Sequence, residues 1–149
     1  MIRIKNLSHT YRNRNEEAIK NININSSKRS ELVDITARLE KLVEASNISD
    51  GVCHLYVPHT TAAVTINEGA DPSVKRDIMV SLDKLVPHAG DYHHMEGNSD
   101  AHIKATLTGN SEIILIEKGS LLLGTWQSVY FCEFDGPRSR QLKVKIVEG

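Results

Sequence analysis

Apolar residues recur along this chain with two periods, and the switches between them lay out the elements. Ile22 and Ile24 alternate with asparagines across Lys20–Ser26, the period of two expected of a strand with one buried face. Ile2, Ile4 and Leu7 suggest an earlier strand, with the polar stretch 13–17 turning the chain. Ile35, Leu39, Leu42 and Val43 then fall at i, i+4, i+7 and i+8, one face of a helix for which Asp34 is a candidate N-cap. A second helix is predicted from Asp71-Pro72, a capping carboxylate before a proline at the first helical position. Its stripe is Val74, Ile78, Leu82 and Leu85, and Pro87 stops it. Between the helices, strands are predicted over Val52–Val57 and Ala62–Asn67, joined around Pro58-His59-Thr60-Thr61. A short third helix should start near Ser99 or Asp100 and end at Gly109. Strands then cover Glu112–Glu117, Thr125–Phe134 and Gln141–Val147, with turns at Lys118–Ser120 and Asp135–Pro137. This order is α+β rather than a regular βαβ alternation.

Composition narrows the function classes. The 149 residues make one domain, 1–149, and 40% hydrophobic content is enough for a buried core. Lys and Arg total 18 against 19 Asp and Glu, so no global basic excess is available to neutralise phosphates, and no nucleic-acid partner is expected. The first residues lack the apolar stretch of a signal peptide, and no run reaches membrane-spanning length. The expectation is a cytoplasmic protein without a membrane partner, its Cys53 and Cys132 reduced.

The chemistry concentrates in histidine. His88, His93, His94 and His102 occupy fifteen residues, mostly in a loop without periodicity, and His59 stands alone at a strand junction. Imidazole is a common metal ligand and exchanges protons near neutral pH, but no HExxH spacing is present. His9 and His54 read as ordinary surface or strand residues. Asp71 is accounted for as a cap, whereas Glu68 has no such role and is the better acid–base or metal candidate. Trp126 reads as a core or interface anchor, with Gln127 beside it a potential donor. Arg138-Ser139-Arg140 forms a cationic turn suited to a phosphate, to solvent or to ion pairs. There is no P-loop, GxGxxG or GxSxG.

Together these segments resemble the YjbQ-like family. The matching pieces are Pro58-His59-Thr60-Thr61-Ala62-Ala63, Asn67-Glu68, Asp71-Pro72, Tyr92, His94 and Glu96-Gly97-Asn98. Ala101-His102-Ile103-Lys104, Gly109-Asn110-Ser111 and Gly119 through Gln127 follow in the same order, and Arg138-Ser139-Arg140 resembles the closing basic turn. Asn110 departs from the residues relatives often carry there.

The resemblance implies a two-sheet β-sandwich with two main helices and a short third, assembling as a homotrimer. It makes His59, His94 and His102 the metal ligands, with Asn67, Glu68 and Gln127 as catalytic groups nearby. Lys104, Arg138 and Arg140 are then available to bind an anion. The cofactor would be a divalent ion, such as zinc or magnesium, and the partner a small phosphorylated metabolite. Family members carry a thiamine-phosphate-synthase-like label, for a transferase that joins a pyrimidine diphosphate to a thiazole phosphate and releases pyrophosphate. Two other readings stand beside it: a metal-dependent hydrolase of a small anionic metabolite, and a non-catalytic trimeric metabolite-binding protein.

Overall fold

The structure, a computed structural model, describes residues 18–149. The strand predicted around Ile2–Leu7 lies outside the described residues. Eleven elements follow in order: β1 (Lys20–Asn25), β2 (Glu31–Asp34), α1 (Thr36–Ser46), β3 (Gly51–Tyr56), β4 (Ala62–Glu68), α2 (Pro72–Leu85), α3 (Ser99–Thr108), β5 (Ser111–Glu117), β6 (Ser120–Leu121), β7 (Gln127–Glu133) and β8 (Ser139–Glu148). They build two antiparallel sheets, of order β1-β8-β3-β5-β6 and β2-β7-β4. The α+β class and the three predicted helices are present.

Alternation explains the five-stranded sheet. Ile22, Ile24, Cys53, Leu55, Ile114, Ile116, Leu142, Val144 and Ile146 point inward to one core, shared with Val64, Val129 and Phe131 of the other sheet and with Leu39 and Val43 of α1. The second sheet is covered on both sides. Its outer face packs Ala63, Tyr130 and Cys132 against Ala101 and Ala105 of α3 and against Ile78, Met79 and Leu82 of α2. Burial on both faces is why β7 reads as a continuous run, Val129 to Glu133, instead of alternating.

Several boundaries differ from expectation for local reasons. β2 went unpredicted because four residues carry too little periodicity to register. Asp34 does not occupy the N-cap of α1; Ile35 does, and the Asp34 carboxylate accepts the Thr36 N–H at 2.9 Å and its hydroxyl at 2.7 Å. Asp71 caps α2 as predicted, accepting the Ser73 N–H at 2.9 Å. No residue of α2 is fully buried, however, and Val80 and Leu85 are exposed. Trp126 is a correction: at 64% exposure it is not a core anchor of this chain. Ile113, Leu115 and Leu122 are likewise exposed apolar side chains.

Candidate functional site

The β4–β7 ladder divides the predicted site. Its register pairs Ala62 with Glu133 at one end and Glu68 with Gln127 at the other. Seven strand residues at roughly 3.4 Å each place the two ends about 20 Å apart. Asn67, Glu68 and Gln127 gather at the second end, beside the start of α2. His59, Arg138 and Arg140 belong to the first.

At the second end the side chains hold the local backbone. The Glu68 carboxylate accepts the N–H groups of Ala70, at 2.8 Å, and Asp71, at 3.1 Å, closing the turn into α2. Asn67 Oδ1 accepts the Glu68 N–H at 2.8 Å, and Gln127 Oε1 accepts the Gly124 N–H at 2.8 Å. Glu68 therefore does have a structural role, which the sequence did not disclose.

The first end is a layer of paired charges. Arg140 meets the fully buried Glu133 through two parallel bonds, Nη2 to Oε1 at 2.7 Å and Nε to Oε2 at 2.8 Å. Arg140 also donates to Thr61 Oγ1 at 2.8 Å, and Ser26 Oγ donates to Glu133 Oε2 at 2.9 Å. Arg138, Asp135, Arg29, Asp100, Lys104 and Asp83 continue as a ladder of alternating sign, its ion-pair contacts running from 2.6 to 3.3 Å. Lys104, 1% exposed, is held between Asp83 and Asp100. All three cations expected to bind an anion are thus occupied by carboxylates of the chain itself.

Burial alone would raise the carboxyls of Glu133, Asp135 and Asp100, but their partners outweigh it. Arg140, the Asp135 N–H and Ser26 hold Glu133 below its ordinary range; Asn98, Arg138 and Arg29 do so for Asp135. His88, Lys104 and Arg29 depress Asp100. A carboxyl depressed on folding contributes stability that is full above its unfolded pKa and is lost as pH falls through the folded value. Urea midpoints should therefore hold from neutrality to about pH 5 and drop below about pH 4, and Asp135→Asn should flatten that drop. An unchanged slope in the variant would remove Asp135 from the account.

The histidines separate. His94, in the α2–α3 loop, and His102, in the second turn of α3, stand edge to face with ring centres 5.4 Å apart. They line a cavity of about 450 Å³ with Asp91, Tyr92, His93 and Ser99. Glu96 lies 3.7 Å from His94 Nε2. His59 does not line this cavity; its Nε2 accepts the Gln141 N–H at 3.0 Å. Burial, with Arg140 and Lys143 nearby, lowers the His59 pKa and favours the neutral ring, the form that can accept this bond. Among the described residues, no group of three His, Cys, Asp or Glu side chains is placed to hold a metal ion. With Zn–N bonds of about 2.0–2.1 Å and a near-tetrahedral angle, two ligating imidazoles have ring centres roughly 5 Å apart. The His94–His102 separation matches two corners of such a site, and among the described residues no third ligand completes it.

The family model for UPF0047 YjbQ-like proteins matches residues 20–149. The chain belongs to this family. A UPF0047 protein of Methanocaldococcus jannaschii is 54% identical over 83% of this chain and 90% of its own. YugU of Bacillus subtilis is 46% identical over 87% and 98%. A solved YjbQ/UPF0047 structure from Clostridium acetobutylicum, described as an uncharacterized conserved protein, superposes with a TM-score of 0.84 at 54% identity, covering 86% of this chain and 99% of that one. A YbjQ-like protein of unknown function from Sulfolobus solfataricus gives a TM-score of 0.84 at 32% identity over 89% and 97%. The YjbQ-like family is thus a family of uncharacterised proteins with this fold. No helix of the described residues is long and apolar enough to cross a membrane.

The resemblance leaves His88 outside the ligand set, and its partners were not foreseen from the sequence. Its Nδ1 lies 2.9 Å from Arg29 Nη2 and 3.1 Å from Asp100 Oδ1. Asn98 donates to Asp135 Oδ2 at 2.8 Å, while its Oδ1 is buried without a partner among the described residues. The signal available was Asp100 and Lys104, spaced i, i+4 on the inward face of a short helix.

Proposed function

We propose that this YjbQ-like chain is a metal-dependent enzyme acting on a small phosphorylated metabolite at the His94–His102 cavity. The observation that carries the reading is the pair itself: two imidazoles at metal-bridging separation on the wall of a ligand-sized cavity. The third ligand would be His59 of a neighbouring subunit in a homotrimer, its Nε2 giving up the Gln141 N–H to take the ion, since burial favours the neutral ring and His59 stands apart from the pair within one chain. The outward apolar residues Ile113, Leu115, Leu122 and Trp126 support such an assembly. A divalent ion held there would act as a Lewis acid on a leaving diphosphate. His94 and His102 would fix its position, while the charge ladder keeps the first turn of α3 in place.

The reaction proposed is thiamine-phosphate-synthase-like, joining a pyrimidine diphosphate to a thiazole phosphate with release of pyrophosphate. The test is elemental analysis of untagged protein prepared without chelator, followed by pyrophosphate-release assays. Near-stoichiometric transition metal is expected in the wild type, falling at least about tenfold in occupancy in His102→Ala with the fold retained. Pyrophosphate release should need both substrates; release of phosphate from one substrate alone would point to a hydrolase. No metal after incubation with several divalent ions would overturn the site. Ligand-induced stabilisation without turnover would leave a binding protein.

A further inference from the structure

We propose that the cavity between the β1–β2 loop and the start of α3 binds the phosphate group of a metabolite, through Lys28, Arg29 and Ser30 with His88 opposite. The cavity, about 510 Å³, is lined by these four residues together with Asp83, Asp100 and Lys104. The inference rests on the proposed small-molecule function only for its meaning, because phosphate binding can be read without turnover.

The loop that carries the donors is fixed in place. Gly136 donates its N–H to the Arg29 carbonyl at 2.9 Å, and a Cβ on Gly136 would overlap the Lys28 carbonyl. The Glu31 carboxylate accepts the Lys28 N–H at 3.3 Å and contacts the Ser27 hydroxyl. Three donors on consecutive residues are therefore presented by a loop that needs little ordering when a ligand arrives.

The charges of the wall leave one cation over. Asp100 is answered by Arg29 and Lys104, and Asp83 by Lys104. Lys28 makes no ion pair among the described residues. Arg29 donates to Asp135 from Nη1 and to Asp100 from Nη2, so of its five N–H positions those on Nε and one on Nη1 remain. A phosphate accepts hydrogen bonds on several oxygens at once and favours such converging charged donors. It would meet the ammonium, the Ser30 hydroxyl and these N–H groups.

Position links this cavity to the histidine pair. Asp100 borders the one and Ser99 the other, so both open on the first turn of α3. A ligand with its phosphate at Lys28 can extend along the 87–98 loop toward His94 and His102. The cations favoured by sequence, Lys104, Arg138 and Arg140, are by contrast bound to carboxylates.

The probe is inorganic phosphate, titrated calorimetrically in the presence of chelator so that bound metal contributes nothing. One saturable site per chain is expected. Lys28→Ala should weaken it about tenfold, the loss of one charge-assisted bond, and Ser30→Ala less. Melting temperatures should not move for Lys28→Ala, because that exposed side chain holds no ion pair among the described residues. His102→Ala should keep phosphate binding while losing metal, so failure here is separable from failure of the metal site. Wild-type affinity in the Lys28→Ala/Ser30→Ala double variant, or no saturable binding by the wild type, would overturn the proposal.

Discussion

Arg140→Ala is expected to destabilise the protein by about 3–5 kcal/mol, read from urea midpoints at constant slope. The cost arises because the substitution leaves Glu133, wholly buried, as a charge without its bidentate partner. Ser26 and the Asp135 N–H still donate to it, but neither carries charge. Arg138→Ala, two residues earlier, should cost less than about 1 kcal/mol. Its side chain is 54% exposed, and Asp135 keeps Arg29 and Asn98 as partners. Equal effects of the two variants would show that the Glu133–Arg140 pair is solvated in solution.

That contrast also shows where the sequence becomes illegible. Arg138-Ser139-Arg140 reads as one cationic turn, yet the sheet begins at Ser139, and pleating sends Arg140 inward while Arg138 stays at the rim. Strand position decides the fate of each arginine, and a boundary shifted by two residues is enough to hide it. The local signals were the legible ones. Asp71-Pro72 caps α2 where the pair predicts, and the isoleucines of β1 point inward as their spacing requires. Long-range partners were not legible: Asp100 to Arg29 spans 71 positions, and no periodicity reports such a contact.

The same limit governs the apolar faces. The stripe of α2 predicts a buried helix, but periodicity specifies only which face is apolar, not what covers it. In one chain that stripe is half-buried at Val74, Ile78 and Leu82, and Leu85 is exposed. On the five-stranded sheet, Val52 pairs with Leu115 on one side and Val147 on the other, so an outward row of apolar residues crosses three strands. Soluble proteins rarely leave such surface to water, and it is the ground for the proposed trimer. Trp126 is exposed as well, which is why reading it as core failed while reading it as an interface anchor stays consistent with its exposure.

Asp100→Ala should be as damaging as Arg140→Ala, about 3–5 kcal/mol, for a related reason. The substitution strands the buried Lys104 ammonium with only Asp83, a mostly exposed carboxylate, and takes a partner from Arg29 and His88. It also removes a negative charge from the first turn of α3, where the helix dipole favours one. Because α3 carries His102, the loosened turn should weaken the proposed metal site as well as the fold. The double variant Asp100→Leu/Lys104→Met separates the causes. It removes both buried charges together, and Arg29 and Asp83 are exposed enough for water to solvate them, so most of the stability should return. Recovery would place the cost in the orphaned ammonium. A double variant no more stable than Asp100→Ala would place it instead in the hydrogen bonds from Arg29 and His88, which would then be what holds α3 against the sheet.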